Sequence, residues 1–159
     1  MAIPQHKRRR QQEKMMRGYI VVALALTVSP LSAKTIDVRM KNTGSGGFMV
    51  FDPAFVQADV GDTVRFIPVD SGHNAEPING MLPAGVSAAP GAIGKEYRLT
   101  LAKPGFYGIK CRPHFSLGMV ALVKAGHGNA PNAAQFTSAA ANLPPLAKKR
   151  MSSLETLAR

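Results

Sequence analysis

A cysteine, a histidine and a methionine fall inside nine residues of this chain, Cys111, His114 and Met119 in the run KCRPHFSLGMV. Strand-like segments bracket them: Phe106 to Lys110 (FYGIK) leads into the cysteine, and Met119 to Val123 (MVALV) begins at the methionine. Any fold must therefore close one strand at Cys111, turn, and open the next strand at Met119. Three sulfur or nitrogen donors then belong to a single strand-loop-strand element with little freedom.

The preceding segments follow the same style. Ile36, Val38 and Met40 alternate with Asp37 and Arg39, Phe48 to Phe51 (FMVF) is a short apolar run, Thr63 to Val69 (TVRFIPV) is rich in β formers, and Glu96 to Leu101 (EYRLTL) alternates again. Short strands separated by turns such as Pro104-Gly105 predict an all-β, two-sheet antiparallel sandwich over residues 34–124. MVALV is apolar throughout and is expected to be buried on both faces. Gly80 to Gly94 (GMLPAGVSAAPGAIG) shows neither period and reads as a long surface loop with room for one helical turn. Beyond Lys124 the composition changes, and two α-helices are expected in residues 125–159. One runs from Asn132 to Ala141. The other runs from Leu146 to Ala158, with Leu146, Met151, Leu154 and Leu157 as the face packed on the sandwich.

Residues 1–33 read as a secretory signal peptide. Lys7, Arg8, Arg9, Arg10, Lys14 and Arg17 precede the apolar stretch Gly18 to Leu31, which is short of the roughly 20 residues a membrane span needs, and Ala33 offers a small residue for cleavage. The expected location is the periplasm, with no stable membrane insertion once the leader is removed. The formal charge of +11 over 159 residues shrinks accordingly, because six of the twenty Lys/Arg and one of the nine Asp/Glu lie in the leader. The remaining basic residues are scattered, with no helical stripe and no nucleic-acid motif, so nucleic acid is not an expected partner. A moderately basic surface suits a partner with an acidic docking face.

Cys111 is the sole cysteine, so an exported chain cannot pair it internally and must bury it or give it a metal. Singly, Cys111 reads as a small buried hydrophobe and Met119 as core. Together with His73, 38 residues upstream in SGHN, they form a different set: one thiolate, two imidazoles and one thioether. That is the donor set of a mononuclear copper site for electron transfer, a trigonal His2Cys plane with a weak axial Met. Zinc would want a water position where Met119 points. Asp70 and Glu76 flank the His73 loop, but no paired acid/base machinery, nucleophile motif or phosphate loop accompanies them, so the chain does not read as an enzyme. His6 lies in the leader and His127 in a Gly-rich linker, and neither is an expected ligand.

The chain resembles the pseudoazurin family of small blue copper proteins, the cupredoxins. The matching segments are MVFDP (Met49 to Pro53), GDTVRFIPVD (Gly61 to Asp70), Gly72-His73-Asn74, KPGFY (Lys103 to Tyr107), CRPH (Cys111 to His114) and GMVAL (Gly118 to Leu122), with the two-helix tail. The resemblance implies a Greek-key β-sandwich of about eight strands. It further implies one copper ion, Cu(II)/Cu(I), held by the Nδ1 atoms of His73 and His114, the Cys111 thiolate and the Met119 sulfur. Around these, Asn74 would tie the His73 loop to the Cys111 loop, Pro113 would remove one N–H donor beside the thiolate and stiffen the turn, and Met49 would pack beside the site. His114 would reach the surface through an apolar patch of Phe115, Leu117 and Pro83, inside a basic ring for which Lys41, Lys110 and Arg112 are the candidates.

Two departures from the family stand out. Val86 to Ala92 carries no lysine, and Arg112 replaces the small polar residue usual after the cysteine, which implies weaker or differently centred electrostatic docking. The expected function is a monomeric one-electron carrier. It would take electrons from a cytochrome c-like donor and pass them to a nitrite reductase-like acceptor. A copper chaperone or storage protein is the alternative. A copper oxidase domain is disfavoured because Lys110 and Arg112 stand where such domains carry histidines.

Overall fold

The computed structural model describes residues 32–159; most of the expected leader lies outside the described residues. Eight strands form two four-stranded sheets. β1 (Thr35–Gly44), β2 (Gly47–Asp52), β4 (Thr63–Pro68) and β6 (Tyr97–Thr100) make one sheet in the order β2-β1-β4-β6. β3 (Phe55–Ala58), β8 (Val120–Ala125), β7 (Gly105–Lys110) and β5 (Glu76–Pro77) make the other in the order β3-β8-β7-β5. Neither sheet is purely antiparallel, contrary to the reading of the strand pattern. β1 runs parallel to β4, with Ile36 opposite Val64, and β3 runs parallel to β8, with Val56 opposite Val123. Parallel neighbours need long crossovers, and both pairs join strands distant in sequence, where local alternation carries no information.

Side-chain alternation explains the layers. On β1, Val38 and Met40 point into the sandwich while Asp37 faces solvent, where Arg65 of the neighbouring β4 grips its carboxylate with two hydrogen bonds of 2.8 and 2.7 Å. β8 is buried on both faces, as its unbroken apolar run requires. Ala121 and Val123 join the core between the sheets with Tyr107, Ile109 and Phe66, whereas Val120 and Leu122 join a second core under the helices with Phe106, Phe136 and Met151.

Two helices follow, α1 (Ala133–Ala140) and α2 (Pro145–Leu157), packed on β7 and β8 respectively. Gly108 lets α1 approach. A Cβ there would stand 2.8 Å from Cβ of Met81 and 3.2 Å from Phe136. Asn132, at the N-cap position, does not cap its own helix; its side-chain amide instead exchanges two hydrogen bonds with the backbone of Phe106, at 2.8 and 2.9 Å. On α2 the inward stripe is Ala147, Met151 and Glu155, continued by Ala158 at the C-cap, with Leu154 half-buried. Leu146 and Leu157, expected on that face, are 51% and 69% exposed. Ala147 and Ala158 share this face with the fully buried Met151, and Glu155 is admitted because Thr137 of α1 donates to its carboxylate and Arg159 pairs with it. The loop from Gly80 to Gly94 carries turns and bends without a helical turn.

Candidate metal centre

β7 ends at Lys110, and Cys111 follows with its backbone N–H donating to the carbonyl of Met119 (3.0 Å). Between them the chain folds back on itself: the N–H groups of Leu117 and Met119 both donate to the carbonyl of His114, at 3.1 Å each. This turn aims the His114 ring back toward the cysteine. His73 arrives from the loop between β4 and β5, its ring meeting that of His114 edge to face at a centroid distance of 4.8 Å.

Three electron-pair donors thereby face one point. His73 Nδ1 and His114 Nδ1 are 3.1 Å apart, and the Cys111 sulfur lies 3.8 Å from the first and 3.5 Å from the second. A point equidistant from all three atoms is about 2.0 Å from each, which matches metal–nitrogen bonds of roughly 2.0–2.1 Å and approaches metal–thiolate bonds of about 2.3 Å. The tautomer of His73 is set from behind. Oδ1 of Asn42 accepts a 2.9 Å hydrogen bond from His73 Nε2, so the proton sits on Nε2 and the lone pair on Nδ1 faces the sulfur. Asp70 in turn holds Asn42 through its backbone N–H, at 2.7 Å.

Burial and charge act together on the donors. Desolvation pulls the His73 imidazole below its ordinary range, with repulsion from His114 adding to this and Asp70 opposing it. The Cys111 thiol is pushed up by burial, while the backbone N–H groups of Asn74 and His114 aim at the sulfur and favour the thiolate. His73, Cys111 and Met119 are fully buried, and His114 is half-buried. The methionine belongs to the same core cluster as the cysteine, with Met49 packed against that cluster.

Asn74 is fully buried and joins the two loops: its Oδ1 accepts from the N–H of Arg112 (2.8 Å), and its Nδ2 donates to the carbonyl of Gly91 (2.9 Å) and to Glu76 (3.1 Å). Glu76 went unrecognised in the sequence as the centre of this network. Its carboxylate, nearly out of solvent, also takes Arg112 Nε at 2.9 Å and Lys110 Nζ at 3.4 Å. Burial alone would raise its pKa; Arg112, then Asn74 and Lys110, outweigh that and hold it below the usual carboxylate range. The basic ring is accordingly muted, since Lys41 pairs with Asp52 at 2.8 Å while Lys110 and Arg112 share Glu76. The apolar patch also differs from the sequence reading. Leu117 is 48% exposed and Phe115 half-buried, with the Lys110 ammonium 4.9 Å above its ring, but Pro83 is buried near Gly105, at the opposite end of β7. His127 pairs with Asp59, apart from these donors.

A β-sandwich that gathers two imidazoles and a thiol at one end defines a small copper-binding protein. A family model described as copper binding proteins, plastocyanin/azurin family, matches residues 38–126. Pseudoazurin of Paracoccus pantotrophus is 44% identical over 129 residues, covering 81% of this chain and 87% of the relative; that of Methylorubrum extorquens is 46% identical over 107 residues, covering 67% and 72%. The crystal structure of pseudoazurin from Methylobacterium extorquens superposes with a TM-score of 0.73 at 40% identity, covering 79% of this chain and 99% of that one. Pseudoazurin from Hyphomicrobium denitrificans gives 0.71 at 38%, covering 77% and 96%. The chain therefore belongs to the plastocyanin/azurin family and, within it, to the pseudoazurins. It is a copper-binding electron carrier with the cupredoxin fold.

Proposed function

We propose that His73, Cys111, His114 and Met119 bind a single copper ion, and that the chain carries electrons in the periplasm from a cytochrome c-like donor to a copper nitrite reductase or similar terminal reductase. The observation that carries the ligand assignment is the triangle of His73 Nδ1, His114 Nδ1 and Cys111 Sγ, with sides of 3.1 to 3.8 Å. Copper bound there supplies a one-electron Cu(II)/Cu(I) couple. The protein's part is to keep the donors still. The Cys111–Met119 backbone hydrogen bond, the doubly bonded His114 carbonyl and the Asn42 and Asn74 contacts hold each donor from outside, so a change of charge at the centre needs little rearrangement.

His114 is the one member of the triangle that reaches the surface, and Leu117 and Phe115 flank it with apolar area. We read this face as the contact for redox partners. Full burial of Cys111 and Met119 favours a carrier over a chaperone or store, which needs sulfur donors that a recipient can reach. No helix among the described residues is long and apolar enough to cross a membrane.

The test begins with Cu(II) titration of the purified chain. An intense visible thiolate-to-copper band that bleaches reversibly on reduction, and that disappears in Cys111→Ser, is the expected result; a colourless product refutes the reading. Electron transfer to a copper nitrite reductase is then followed against salt. A strong basic ring implies a steep fall of rate with salt, but the carboxylate partners of Lys41, Lys110 and Arg112 reduce this to a shallow one. A monomer is expected in solution by light scattering.

A further inference from the structure

Arg150 lies on α2, yet its guanidinium reaches two backbone segments close to the donor residues. Nη1 donates to the carbonyls of Met49 and Gly118, and Nη2 to the carbonyl of Phe48, all at 3.0 Å. Both segments are unusual at the point of contact. Met49 holds a left-handed φ of 50°, which a non-glycine residue keeps only when its surroundings enforce it. Gly118 has φ +84°, and a Cβ there would stand 3.2 Å from the carbonyl carbon and oxygen of Leu146 and 3.1 Å from Cδ of Arg150 itself. The start of α2 is thus pressed against the residue that immediately precedes Met119.

We propose that Arg150 is a positioning residue for Met119: by fixing the Gly118 and Met49 carbonyls, it sets how closely the thioether approaches the donor triangle. This rests on the reading of Met119 as the fourth ligand. The route is short. The Gly118 carbonyl also accepts the N–H of Val120 at 2.9 Å, so Arg150 and Val120 together fix the plane of the peptide that joins Gly118 to Met119. A thioether would hold the metal only weakly, so backbone placement rather than bond strength would decide how near the Met119 sulfur comes to it. Arginine suits the task because its rigid planar fork presents several donors at once, whereas lysine presents a single mobile ammonium.

Arg150→Met keeps an unbranched stem and good helix propensity while removing every donor; Arg150→Lys retains one cationic donor. Met151→Ala is the control. It weakens the packing of the same helix, since Met151 is fully buried, without touching the carbonyls. Two readouts are compared: the Met49 and Met119 methyl resonances of the copper-free protein, and, in the copper-loaded protein, the intensity ratio of the two visible charge-transfer bands together with the reduction potential.

Arg150→Met is expected to move both methyl resonances, the band ratio and the potential, and Arg150→Lys to move them less. Met151→Ala is expected to lower the unfolding midpoint while leaving resonances and ratio in place. Unchanged resonances and ratio in Arg150→Met, or equal changes in Met151→Ala, overturn the proposal. If Arg150→Met does not fold, Arg150→Lys against Met151→Ala decides in the same way. A wild-type chain that takes up copper without colour refutes the ligand assignment instead, and the copper-free resonances still judge whether Arg150 places Met119.

Discussion

Asn42 Oδ1 stands 2.9 Å from Nε2 of His73, on the opposite side of the imidazole from the Cys111 sulfur. The contact fixes both the proton and the plane of a ring buried too deeply for water to do either. Asn42→Ala removes it and leaves Nδ1 free to carry the proton. Copper affinity, measured by competition with a chelator, is expected to fall by roughly 10- to 100-fold, the usual loss when the partner behind a ligating histidine is removed. An affinity within twofold of wild type would show that the ring is oriented by packing alone.

Asn74 serves three partners from a site without solvent. In Asn74→Ala the Arg112 N–H and the Gly91 carbonyl lose their partner together, at about 1–3 kcal/mol for each buried group left unsatisfied. Urea unfolding of the copper-free protein is expected to register a loss of at least about 2 kcal/mol. Equal unfolding midpoints for variant and wild type would mean that the two loops are held together elsewhere.

The Glu76 carboxylate is held below its ordinary pKa in the folded chain, so its contribution to stability is complete above the unfolded value of about 4.3 and is lost as pH falls through the lower folded value. Glu76→Gln should therefore be less stable than wild type at pH 7, by about 1–2 kcal/mol, with the gap closing below about pH 4. Unfolding midpoints measured across that range check the sign. A gap that stays constant with pH would assign the effect to shape rather than charge. The same variant frees Lys110 and Arg112, and the salt dependence of electron transfer is expected to steepen.

Gly108 is the contact through which α1 and Met81 reach β7. Gly108→Ala sets a methyl 2.8 Å from Cβ of Met81, and overpacking of this kind costs about 1–3 kcal/mol. The copper-free protein is expected to lose that much in chemical denaturation while the visible spectrum of the loaded protein stays the same, because Gly108 faces the helices and not the donors. A changed spectrum would contradict the separation of the two cores.

By itself the sequence determined that Cys111, His114 and Met119 belong to one strand-loop-strand element, and much of the sheet structure. Cys111, His114 and Met119 share one turn, so their spacing is already a distance constraint, and the alternation around Val38 and Met40 marks a two-faced strand. It was silent on β3 and β5, because four residues after Pro53-Ala54 and a two-residue pair containing Pro77 are too short to show a period. The parallel pairings of β1 with β4 and β3 with β8 were settled only in three dimensions, since register between distant strands depends on which apolar faces meet. The same holds for Asn42, Glu76 and Arg150. Each reaches residues 31 or more positions away, through hydrogen bonds that leave no periodic trace in the chain. Along α2 and its C-cap, tertiary packing turned Ala147, Met151 and Ala158 inward and left Leu146 and Leu157 to solvent, because the angle at which the helix meets the sheet, and not apolar spacing alone, decides which stripe is covered.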